Sequence, residues 1–162
     1  MAHTIRFLIL FCITVFVACQ GSKEPITDAQ RTAIREALIA KHAEMLKSAS
    51  AADADGLFSH FLDNTNGALA FDGTLTVTRE SALNGLREAY SGLLEQQFVM
   101  DEEYVNVISP EAAILTGTGI YTSTTKAGET FRGTFAASIV FVFSEGEWKV
   151  LHLHESLPNV PQ

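Results

Sequence analysis

Residues 112–124 (AAILTGTGIYTST), 130–143 (TFRGTFAASIVFVF) and 147–156 (EWKVLHLHES) decide the fold. Each run is rich in Val, Ile, Phe, Thr and Tyr and is spaced with a period of two, the pattern of a strand with one covered face. The stretch before them, 97–108 (QFVMDEEYVNVI), reads the same way. Ser109-Pro110-Glu111, Lys126-Ala127-Gly128 and Glu145-Gly146 separate the runs, and the last is a two-residue loop of the hairpin kind. Successive hairpins make these strands antiparallel.

Upstream the period becomes helical. Thr27-Asp28-Ala29-Gln30 has the form of a capping box, and Ile34, Ala37, Leu38, Lys41 and Met45 recur on one face. That spacing predicts a helix over 28–48. Small residues from Ser50 to Asp55 break it, and Leu57, Phe58, Phe61 and Leu62 form a second, short helical face that ends at Asn64-Thr65-Asn66-Gly67. Residues 68–71 (ALAF) read as a short strand closed by Asp72-Gly73. Thr78 is then the N-cap of a third helix over 79–94, with Leu83, Leu86, Ala89, Tyr90 and Leu93 on one side. Helices first and a long-stranded sheet afterwards is an α+β arrangement. Long twisted strands curl, so the expected form is three N-terminal helices packed in the concave face of a strongly curved antiparallel sheet, a cone-shaped half-barrel.

The N-terminus carries an address. Residues 7–18 (FLILFCITVFVA) are apolar apart from Thr14, too short for a comfortable membrane span but fitted to the apolar part of a signal peptide behind Arg6. The run ends at Phe16-Val17-Ala18-Cys19, which resembles the bacterial lipobox, where the cysteine is lipidated and becomes the first mature residue. Phe16 stands where that motif usually has Leu, and ordinary cleavage after Ala18 is the alternative. The two cysteines are Cys12, inside the removed segment, and Cys19, so the folded part has no thiol for a disulfide, a nucleophile or a metal. Acyl chains on Cys19 would hold the domain at a membrane, at about 0.8 kcal/mol per buried methylene. Gln20 follows the cysteine instead of Asp, which by analogy with bacterial sorting points to the periplasmic side of the outer membrane rather than the inner.

The 162-residue chain has 11 Lys+Arg against 19 Asp+Glu, and Arg6 is the one charged residue before Cys19. The rest therefore carries a formal charge of −9 with scattered cations. Nucleic acid is excluded as a partner on that balance. No Gly-rich phosphate loop, nucleophile elbow or zinc-protease helix occurs, and no cofactor or metal is expected.

The order helix, helix, short strand, helix and four antiparallel strands ends in Gly-x-Trp-x-x-x-His-x-His-x-Ser over 146–156. It resembles the nuclear transport factor 2-like superfamily, whose SnoaL-like branch and kinase association domain close on a similar strand. The resemblance covers about residues 27–157. Together with the N-terminal address, it divides the chain into an expected signal peptide (1–18), a lipidated cysteine and tether (19–26), the domain (27–157) and a tail (158–162). It implies the cone fold and leaves the activity open, because this fold hosts isomerases, dehydratases, cyclases, binding modules and oligomeric hubs.

The same resemblance nominates inward faces. They hold Leu115, Gly117, Gly119 and Tyr121 on one strand, Phe135, Ala137, Ile139, Phe141 and Phe143 on the next, and Leu153 and Glu155 on the last. The expected pocket is Leu115, Tyr121, Phe135, Ile139, Phe141, Leu153 and Glu155: apolar, with a carboxylate and a phenol near its mouth. Complete filling of the cone by these side chains is the alternative. The association domain's pocket arginines fall on Glu155, Ile139 and about Gly119, so an anion pocket of that type is not supported. Candidates for proton transfer are Glu155, Tyr121 and His60, with Asp63 and Tyr104 beside them; His60 and Asp63 form either a dyad or a surface hydrogen bond. Asp101-Glu102-Glu103 reads as a solvated strand edge.

Strict alternation places Trp148, Val150, His152, His154 and Ser156 on one side of the last strand. Its two histidines read as hydrogen-bonded side chains at a sheet or subunit face more readily than as metal ligands. These features predict a small, largely apolar ligand or a homodimeric accessory module. The alternatives are a cofactor-free lyase or isomerase with Glu155 as base and a tyrosine as oxyanion donor, and a structural homo-oligomer.

Overall fold

The structure, a computed structural model, describes residues 25–63 and 66–157. The expected signal peptide, Cys19, most of the tether, the turn at Asn64-Thr65 and the tail lie outside the described residues.

Helix α1 (Asp28–Ser50) starts at the capping box: the Thr27 side chain accepts from the Gln30 backbone N–H, and Gln30 Oε1 accepts from the Thr27 N–H at 2.9 Å. Its buried stripe is Leu38, His42, Met45 and Ala49. Helix α2 (Ala54–Phe58) is capped by Asp53, and α3 (Arg79–Ser91) by Thr78. Strands β1 (Asn66–Phe71), β2 (Thr74–Thr78), β3 (Leu93–Ser109), β4 (Ala112–Thr125), β5 (Thr130–Ser144) and β6 (Glu147–Ser156) form one curved, unclosed sheet in the order β2-β1-β6-β5-β4-β3. The expected third helix stops three residues early, because Gly92 caps it and Leu93 already belongs to β3.

Strand β2 was not expected from the sequence. Thr74-Leu75-Thr76-Val77-Thr78 turns back on β1 through Asp72 (φ 44°) and Gly73 (φ 80°), the left-handed pair a two-residue hairpin needs. Strands β3 to β6 are an antiparallel meander, and β1 joins β6 in parallel, with Leu69, Ala70 and Phe71 opposite Leu153, His154 and Glu155.

Two bulges change which side chains face the helices. The β3–β4 register skips Asp101, so Met100 and Glu103 both turn inward while Glu102 and Tyr104 turn out. The β5–β6 register passes from Phe141–Val150 to Val140–His152 and leaves Leu151 unpaired. Trp148 and Val150 are therefore buried together with Leu153, whereas His154 is exposed. The single face expected for Trp148, Val150, His152 and His154 is corrected: strict alternation fails at Leu151. His152 instead holds the Gly67 carbonyl through Nδ1 at 2.6 Å. Between the sheet and the helices sits the core, with Leu38, Phe58, Leu115, Ile139, Phe141 and Val150 almost wholly buried. Each such side chain contributes about 1.5–3 kcal/mol.

Candidate functional site

The cone is not filled. A cavity of about 600 Å³, partly open to solvent, lies between α1, α2 and α3 and the concave sheet. That volume suits a small molecule. Its floor includes Phe98, Tyr121 and Phe135, whose rings meet at centroid distances of 4.9 Å (Phe98–Tyr121) and 5.5 Å (Phe98–Phe135). The exposed Phe71, Asp72, Thr74, Ser81 and Gly85 line its open side, where the β1–β2 turn faces α3.

Of the residues nominated from the sequence, Tyr121, Phe135, Ile139, Leu153 and Glu155 line this cavity. Leu115 and Phe141 do not: both are fully buried in the core, and no cavity wall reaches them. His60 is likewise not part of the lining. It stands near Lys41, Glu44, Lys149 and Glu147, and burial, with Lys41 next, holds its pKa below the ordinary histidine value. The dyad with Asp63 is replaced by an Asp63–Arg79 ion pair at 3.7 Å. Tyr104 is 59% exposed on the outer surface, where its hydroxyl donates to Glu102.

Glu155 is the decisive side chain. The bulge at Leu151 turns it inward, Phe71 stands opposite it on β1 and Ala137 opposite it on β5. All three line the cavity. Among the described residues its carboxylate accepts no hydrogen bond and has no ion-pair partner. Burial alone pushes its pKa up to about 7. Tyr90 of α3 shares this environment. Its pKa is pushed up to about 12, chiefly by burial, with a Gln96 hydrogen bond acting in the opposite direction and Glu155 and Tyr121 adding to the rise. The phenol therefore stays neutral, a hydrogen-bond donor over the whole physiological range.

A second polar group escaped the sequence reading. His42, only 3% exposed, lines the cavity from α1, and its Nδ1 lies 2.6 Å from Glu103 Oε1. Against a carboxylate acceptor, Nδ1 is the donor of this contact. Nε2 has no hydrogen bond among the described residues. The signal was present in the spacing, since His42 lies four residues after Leu38 and three before Met45 on one helical stripe. Glu103 was hidden because it looked like the last of three edge carboxylates; the bulge at Asp101 turns it under the sheet. Gln96, also buried, donates Nε2–H to the Ala49 carbonyl and so fastens the end of α1 to β3.

The half-open cavity under the helices thus brings together the Glu155 carboxylate and the His42–Glu103 pair. The chain belongs to the SnoaL-like domain family, whose sequence profile matches residues 38–160. No protein of curated function matches it. Solved structures share the fold. A proposed scytalone dehydratase of Novosphingobium aromaticivorans aligns with TM-score 0.74 and 8% identity over 81% of this chain and 88% of its own. A hexachlorocyclohexane dehydrochlorinase of Novosphingobium barchaimii gives 0.70 and 14%, over 84% and 100%. A proposed calcium/calmodulin-dependent kinase II association domain of Xanthomonas campestris gives 0.66 and 17%, over 76% and 87%.

Proposed function

We propose that this protein is an envelope lipoprotein whose SnoaL-like domain binds a small, largely apolar molecule in the cone. The observation that carries the binding reading is the cavity of about 600 Å³, lined by apolar side chains and a few convergent polar groups. The lipobox-like Phe16-Val17-Ala18-Cys19 supports the anchor and a periplasm-facing location. Native mass spectrometry of the Cys19→Ala protein, purified without detergent, tests the binding reading: a retained small molecule is expected, and its absence together with failure to bind apolar fluorescent probes overturns it. Cys19→Ala is expected to move the protein from the membrane fraction to the soluble periplasm, and unchanged membrane retention overturns the anchor.

A second reading is proton transfer without a cofactor, favoured by the Glu155 carboxylate, which titrates near neutrality inside the cavity beside two tyrosines. Glu155 would remove a proton next to a carbonyl, and Tyr90 or Tyr121 would donate to the oxygen as it gains charge. Such chemistry is compatible with the dehydratase and dehydrochlorinase among the structural relatives. Exchange of the α-protons of 2-tetralone into D2O tests it. The wild-type protein is expected to accelerate exchange and Glu155→Gln to lose about 100-fold or more of that acceleration. Equal exchange by the two proteins overturns the reading.

A further inference from the structure

The charge pattern of the cavity narrows its ligand. Neither lysine nor arginine lines it among the described residues, whereas Glu155 and Asp72 both do. An anionic ligand would meet the buried Glu155 carboxylate with no lysine or arginine among the described lining residues to offset it, which is unfavourable. Glu155 poses the complementary problem. It is a carboxylate in an apolar wall, without a donor from any described residue, and such groups are costly to bury unless paired. No described residue supplies a cation there; a ligand can.

The side chains around Glu155 suit that cation. Phe71 lies opposite Glu155 on the neighbouring parallel strand and lines the same cavity. Tyr90 is close enough for Glu155 and Tyr121 to perturb its ionisation electrostatically, and both tyrosines line the cavity. Aromatic faces beside a carboxylate attract an ammonium group through the ring quadrupole as well as through its charge. The remaining walls include Met45, Leu46, Phe58, Phe98, Phe135 and Ile139, which accept a hydrocarbon or aromatic body.

We propose that the ligand is an amine with an apolar, ring-sized body, its ammonium group held by Glu155 among Phe71, Tyr90 and Tyr121. This assignment rests on the cavity being a binding site for a small apolar molecule. The amine donates N–H to the Glu155 carboxylate, and its hydrocarbon part displaces water from the remainder of the cone.

The test uses three probes with one body: 1-naphthylmethylamine, 1-naphthalenemethanol and 1-naphthoate, titrated calorimetrically into the mature protein at pH 8. The amine is expected to bind at least tenfold more tightly than the alcohol, and the carboxylate to bind most weakly. In Glu155→Gln the amine's advantage over the alcohol is expected to fall below threefold, with alcohol affinity retained as the control for an intact cavity. Equal affinity of amine and alcohol for the wild-type protein, or tighter binding of the carboxylate, overturns the charge assignment and leaves the apolar cavity standing. Failure of all three probes to bind overturns the cavity reading and this assignment with it. An amine preference that survives in Glu155→Gln places the cation elsewhere and overturns the assignment to Glu155.

Discussion

Glu155 makes stability depend on pH in a direction opposite to that of most carboxylates. Burial raises its pKa from 4.5 to about 7, so the folded chain holds this proton more tightly than the unfolded one. The resulting stabilisation is fully present below about pH 4.5 and is lost as pH rises through 7. The loss is about 1–3 kcal/mol. Glu155→Gln is expected to remove it, so in urea unfolding the variant should gain on the wild type between pH 5 and pH 8. A constant difference across that range would mean that Glu155 is not confined as described. His42 and Glu103 depend on each other in the ordinary sense. Glu103→Ala leaves a buried Nδ1–H without its acceptor, at an expected cost of about 1–3 kcal/mol in the same assay. Glu103→Gln keeps an acceptor and should recover much of that loss.

Elements show where the sequence was readable and where it was not. The β4 and β5 alternation and the 145–146 hairpin were plain, because each strand presents one covered face and Glu145 (φ 55°) and Gly146 (φ 88°) take the left-handed turn. The superfamily resemblance, laid over these strands, implied that Tyr121, Phe135, Ile139, Leu153 and Glu155 face inward, and all five line the cavity. What escaped was decided by two unpaired residues, Asp101 and Leu151. Alternation carries no mark of where it will be interrupted, so Tyr104 was put forward and Glu103 passed over. β2 was missed for a different reason: five residues between a turn and an N-cap are too few to declare a period. His42 was overlooked because a polar side chain on an apolar helical stripe resembles Lys41, which reaches its Glu44 partner at 3.3 Å at the helix surface. The bend itself leaves a testable trace at Gly119. A Cβ there would meet the Val99 carbonyl and come within 2.9 Å of Phe135 Cε1. Gly119→Ala is expected to destabilise the protein by about 1–3 kcal/mol, read as a lower melting temperature, because the obstacle is the neighbouring backbone.

At the scale of the whole molecule, stability and occupancy of the cone are separable. Gly85 sits inside α3 and lines the cavity, and a Cβ there meets nothing within 4 Å. Gly85→Leu is expected to raise stability by about 0.5–1 kcal/mol through helix propensity while lowering affinity for the naphthyl probes at least tenfold by filling the entrance. Reduced stability with unchanged affinity would show that α3 does not border the ligand. The six strands are curved by their twist and by the bulges, and the hollow exists because the helices cannot reach the whole of that curve. Leu151 has a consequence that extends past this one chain. It sits at a point of choice between two interleaved vocabularies, one spelling Leu153 and Glu155 into the hollow, the other His152 and His154. Straightening the kink would exchange an acid for two imidazoles without altering a single letter. Descendants in which it migrates a few positions along the ribbon can therefore acquire new reactivity from almost unaltered text.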